Sequence, residues 1–251
     1  MGAPIGHSTP ASAGYADHLM GAALGWGALA ASSLVIGALL GLAREWPDRQ
    51  VGMVLAFGAG ALISAVSFEL VEEGANVGGP VSVALGLAAG ALVYYFVNGA
   101  LGRHEATADA GTGLALGAFL DGIPEQAVLG ISLAEGNGVS VALLLAIFVS
   151  NLPEAIGSAS SMRATGKRPA AIRRLWALIA VGCTLATVGG YALADVTGGE
   201  LQAAIDGFAA GALLVMLVDS MIPEAVSKAG RAGGLVTVLG FAVAAALSAV
   251  G

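Results

Sequence analysis

The chain has 251 residues, 57% of them hydrophobic and only 11% charged, and its mean hydropathy is +0.86. Soluble domains devote about 25% of their residues to charge, so this chain cannot cover a water-facing surface, and lipid is the natural solvent for its outer face. A net charge of −7 with ten dispersed basic residues excludes a nucleic-acid-binding face. The lone cysteine, Cys183, excludes an intramolecular disulfide and reads as a small core residue.

Residues 1–18 hold no Lys or Arg and lack the basic start of a cleavable signal peptide, so they read as a retained extracytoplasmic tail. About 20 apolar residues span a bilayer. On that measure residues 19–251 form one domain, with spans near 19–43, 51–71, 80–100, 112–134, 138–162, 172–194, 203–223 and 232–250. The expected fold is all-α: a polytopic eight-helix bundle.

The basic residues set the orientation. Arg44 and Arg49 follow the first span and Arg103 the third. Arg163, Lys167, Arg168, Arg173 and Arg174 surround the connection after the fifth, and Lys228 and Arg231 follow the seventh. All therefore fall on one face, which is expected to be cytoplasmic, with both termini outside a plasma membrane. Glycines four apart (Gly21 and Gly25, Gly37 and Gly41, Gly86 and Gly90, Gly113 and Gly117, Gly207 and Gly211) predict close helix packing in lipid.

Two internal echoes follow. The stretch from Phe57 in span two resembles that from Phe208 in span seven, matching Gly60 to Gly211 and Glu73 to Glu224. Spans four and five each carry a Pro-Glu step, Pro124-Glu125 and Pro153-Glu154. The matched spans run in opposite directions, which predicts an inverted repeat of three, two and three helices.

The same segments carry buried acids. A charged side chain at mid-bilayer costs about 2.5–3.5 kcal/mol on insertion scales. Asp121 and Glu125 share a helix face, as do Asn151 and Glu154, while Glu69 lies in span two and Asp219 in span seven. No Lys or Arg lies mid-span, so these acids bind protons or a cation. Pro124 and Pro153 free the carbonyls of Leu120 and Val149, which suits a polar cavity.

The paired Pro-Glu helices and the three-two-three plan resemble the ZIP (Zrt/Irt-like) divalent-metal transporters from about residue 19 onward. Family members typically carry His-Asn-x-Pro-Glu-Gly in span four, where this chain has Asp121-Gly122-Ile123-Pro124-Glu125-Gln126. In span five, Gln-Asn/Asp-x-Pro-Glu-Gly is replaced by Ser150-Asn151-Leu152-Pro153-Glu154-Ala155. The resemblance implies metal ligation by Asp121, Glu125, Asn151 and Glu154, with Glu69, Ser150, Asp219, Ser220 and Glu224 as accessory candidates. Asp121 stands in place of the usual His, and Ser220 at a position that often carries Glu. One metal held by Asp121, Glu125 and Glu154 is the economical site, and its all-oxygen character shifts preference toward manganese, ferrous iron or magnesium relative to zinc.

The expected function is transport of a divalent metal ion, as substrate, toward the cytoplasm. No enzyme activity and no catalytic cofactor are expected. The expected partners are metal ions and the bilayer, with a homodimer left open. The alternatives are a proton-coupled or monovalent-cation carrier, and a metal-binding membrane protein that does not transport.

Overall fold

The computed structural model describes residues 10–105, 110–134, 140–195 and 199–249. Eight long helices account for nearly all of them: α1 (Pro10–Ala43), α2 (Asp48–Gly78), α3 (Pro80–Glu105), α4 (Ala110–Ala134), α5 (Val141–Ala164), α6 (Pro169–Asp195), α7 (Glu200–Ala229) and α8 (Ala232–Ser248). No strand occurs among the described residues. Six of the eight are long and apolar enough to cross a membrane. Of the others, α8 has 17 residues, about 26 Å, and α4 carries Asp121 and Glu125 near its middle. The chain is thus an all-α polytopic membrane protein.

The helices outrun the spans expected from hydropathy. Helix α1 begins at Pro10, so residues 10–18 of the expected tail are helical. Helices α2 and α7 continue past their apolar stretches to Gly79 and Gly230, where φ of +91° and +62° ends each helix in a conformation that suits glycine. Each also contains a π-helical segment, Val66–Glu72 in α2 and Leu217–Met221 in α7. Hydropathy carries no sign of an i→i+5 turn.

The packing has an internal order. Helix α3 packs along α7 and α2 along α8; α4 packs along α6 and α1 along α5; α1 meets α6, α2 meets α7, and α4 meets α5. Exchanging α1 with α6, α2 with α7, α3 with α8 and α4 with α5 returns the same set of pairs. The match extends to atoms. A Cβ at Gly60 would stand 1.9 Å from the Thr237 carbonyl oxygen, and one at Gly211 would stand 2.1 Å from that of Leu87. A Cβ at Gly90 would meet the Phe208 oxygen at 1.9 Å, and one at Gly240 the Phe57 oxygen at 2.0 Å. The Phe57–Phe208 echo is therefore a repeat of packing as well as of letters.

Of the glycine pairs, Gly37 and Gly41 bring α1 against α5, while Gly86, Gly90, Gly207 and Gly211 join α3 to α7. Gly21 and Gly25 face no neighbour within 4 Å, and the side-chain surroundings of Gly113 lie outside the described residues.

Candidate metal-binding site

Helices α4 and α5 cross at mid-length, each with a proline inside it. Around that crossing Asp121, Glu125, Ser150 and Asn151 are all buried. Burying so much polarity in apolar surroundings requires partners. Asn151 Nδ2 donates to Glu125 Oε2 at 3.1 Å. Ser150 Oγ lies 3.2 Å from Glu125 Oε1 and 3.0 Å from the Ile147 carbonyl, and its single proton serves one acceptor at a time. The Tyr94 hydroxyl of α3 donates to Asp121 Oδ1. Glu154 is half-buried within electrostatic range of Asp121, Glu125, Glu224 and Lys228.

Two oxygens of this cluster are buried without a hydrogen-bond partner, Asn151 Oδ1 and Glu154 Oε2. Leaving such groups unpaired costs about 1–3 kcal/mol each. Both are lone-pair donors on α5, about one turn apart, and Asn151 Oδ1 lies 4.0 Å from where a Cβ on Gly122 of α4 would stand. Among the described residues, no three His, Cys, Asp or Glu side chains stand close enough to form a ready metal-binding group. In this cluster Tyr94 holds Asp121, and Ser150 and Asn151 tie Glu125 to α5. The available oxygens are the Asn151 amide and Glu154.

The accessory candidates divide. Glu224 lies near Glu154 but pairs with Lys228 at 2.6 Å. Lys228, in the last turn of α7, is within electrostatic range of Glu154 as well. It belongs to the connection after span seven, and its flexible stem turns back along α7, reaching a point 3.5 Å from where a Gly157 Cβ would stand. Asp219 is exposed and Ser220 half-buried. Glu69 lies elsewhere: its Oε1 accepts from Ser140 Oγ at 2.7 Å and Ser248 Oγ at 2.8 Å. Ser140 precedes Ser150 by ten residues, about 15 Å along a helix. The side chains of His18 and His104 lie outside the described residues, as does all of His7.

Sequence reasoning missed three participants. Tyr94 was hidden because one tyrosine in an apolar helix looks like an interface residue. Lys228 was hidden by its loop position. The third is a separate buried acid, Asp206 near the start of α7, which accepts from Gln202 Nε2 at 3.0 Å and turns an unpartnered Oδ2 toward Gly74 of α2. It sits near Gly74 of α2, at the opposite end of α7 from Pro223-Glu224.

The two ends of α5 differ around the cluster. Beyond Glu154, a cavity of about 390 Å³ opens, lined by residues that include Asp48, Gly157, Ser160, Ser161 and Lys228. It lies on the face where the basic residues gather. In the other direction Leu143 and Ile147 are wholly buried and pack among Leu62, Leu213 and Met216.

A helical membrane bundle with a carboxylate and amide cluster between two proline-bearing helices is the class of protein that these features define. No family model matches the chain. It is similar to a protein of Arabidopsis thaliana named "putative zinc transporter", with 29% identity over 79% of this chain and 34% of that protein. The chain thus spans about a third of the length of that relative.

Proposed function

We propose that this chain carries divalent metal ions of the zinc, iron and manganese class across the membrane, through the space between α4 and α5. The observation that carries the reading is the pair of buried, unpartnered oxygens, Asn151 Oδ1 and Glu154 Oε2, beside Glu125. A cation supplies what those oxygens lack. The resemblance of the two Pro-Glu helices to ZIP transporters and the name of the Arabidopsis relative point the same way.

The direction of movement in this proposal is toward the basic face, taken as cytoplasmic. The polar cavity on the Gly157 side of Glu154 supports it, because it lies on that face. A cysteine introduced as Ser12→Cys should then be labelled by an impermeant thiol reagent on intact cells. Labelling only after permeabilisation would reverse the orientation. Native Cys183 is wholly buried and leaves a low background.

Uptake by proteoliposomes of the full chain, with zinc, ferrous iron, manganese and magnesium offered separately, tests transport. Accumulation of at least one ion above empty liposomes is expected. Metal-dependent thermal stabilisation without uptake would instead favour a binding protein. Uptake of protons or monovalent cations alone would favour the rival carrier.

Asp121 is the proposed tuning position. Asp121→His exchanges an anionic oxygen for a neutral nitrogen, so zinc affinity should rise relative to manganese. An unchanged ratio across pH 5.5 to 8 would place Asp121 outside the ligand set, with Tyr94 as its structural partner.

A further inference from the structure

The sequence presents Cys183 as core filler, and most of its neighbours agree: it belongs to an apolar cluster with Leu34, Trp176 and Ile179. Its sulfur, however, faces the site. A Cβ built on Gly122 would stand 2.9 Å from Cys183 Sγ and 4.0 Å from Asn151 Oδ1. Sulfur and amide oxygen therefore approach one bare patch of α4 from α6 and α5. Asn151 is 1% exposed and this oxygen has no hydrogen-bond partner. Cys183 is 0% exposed and within electrostatic range of both Glu125 and Glu154. The absence of a side chain at residue 122 is what permits the arrangement, because any larger residue would fill the gap that sulfur and oxygen share.

We propose that Cys183 is a specificity-determining ligand of the metal path. It offers one sulfur donor to a cation also held by Asn151 Oδ1 and the Glu154 carboxylate, and so favours zinc and cadmium over manganese and magnesium. The inference deepens the proposed transport function and rests on it. A thiolate binds zinc at about 2.3 Å and carboxylate oxygen at about 2.0–2.2 Å. Soft ligands select softer ions, whereas manganese and magnesium prefer oxygen. On coordination the S–H bond gives way to a sulfur–metal bond and the proton leaves to the buffer. A sulfur ligand also reverses the preference that the all-oxygen reading of Asp121, Glu125 and Glu154 implied.

Cadmium is the probe, because a cadmium–thiolate bond has an ultraviolet charge-transfer absorption and Cys183 is the only cysteine in the chain. Cadmium is titrated into the purified full chain while heat and absorption are followed together. The wild type should show a charge-transfer band that saturates with the calorimetric binding and is bleached by zinc. Cys183→Ser and Cys183→Ala should lack the band and lose roughly tenfold to 100-fold of the zinc-over-manganese preference.

Cadmium binding that Glu154→Ala abolishes, but that shows no band in the wild type, overturns the role of Cys183 and leaves the metal site standing. A zinc-to-manganese ratio equal in wild type and both variants overturns it as well. Manganese binding by the wild type without cadmium or zinc binding overturns this inference alone, and absence of binding of all three ions overturns the proposed function with it. The wild-type band requires no variant to fold, so the test survives a destabilised Cys183→Ser.

Discussion

Glu154→Ala should reduce metal uptake into proteoliposomes by at least roughly 100-fold, the upper end of what supporting residues alone cost a metal site. It should do so without loss of fold. Glu154 Oε2 has no hydrogen-bond partner in the protein, so its removal strands no donor. It also removes repulsion with three neighbouring carboxylates, Asp121, Glu125 and Glu224. Glu125→Ala should behave differently. It leaves Asn151 Nδ2 without its acceptor and removes one acceptor of Ser150, both buried, at a cost of about 1–3 kcal/mol in stability as well as the loss of uptake. Uptake assays paired with thermal unfolding in detergent separate the two. If Glu154→Ala transports at the wild-type rate, the site lies elsewhere.

Gly211→Val should destabilise the bundle by about 3 kcal/mol or more, at or above the upper range for overpacking. The first added carbon already stands 2.1 Å from the Leu87 carbonyl and 2.8 Å from the Ala91 nitrogen, and backbone cannot step aside as a side chain does. Gly60→Val should match it, because Gly60 meets Thr237 and Phe241 in the same way on the opposite helix pair. Gly25→Val, with nothing within 4 Å, should unfold with the wild type. Midpoints of thermal unfolding for the three variants provide the comparison. Similar midpoints for Gly211→Val and Gly25→Val would contradict the close packing of α3 on α7.

Lipid makes a polytopic fold unusually readable. A helix must satisfy its own backbone and must be apolar, so length and hydropathy alone mark where helices run. The Phe57 and Phe208 stretches were legible as a repeat because glycines that hold a contact cannot drift to other residues. The Pro-Glu steps were legible for a related reason, since proline and a buried acid are both costly inside a membrane helix. Side-chain direction was not. Nothing local to Tyr94 says that its hydroxyl crosses to Asp121, whereas the four-residue spacing of Glu224 and Lys228 does carry the signal of a helical ion pair. Cys183 reads as a space-filler in the sequence because only the crossing of three helices puts its sulfur opposite Gly122. Glu69 erred in the other direction. It has the composition of a site residue, but its depth in α2 brings it to Ser140 and Ser248 instead.

The paired π-helical segments have a mechanical consequence. Each holds more residues per turn than the surrounding helix, so α2 and α7 each carry slack at matched depth. Taking up one residue of that slack would turn everything beyond it by about 100° and move it by about 1.5 Å along the axis. In α7 the rotated part bears Glu224 and Lys228; in α2 it bears Glu73 and Gly74, which faces Asp206. Because the two helices point in opposite directions, the same rewinding would act on opposite ends of the bundle. The duplicated fold thus holds two matched reserves of slack, seven and five residues long, one toward each end of the bundle.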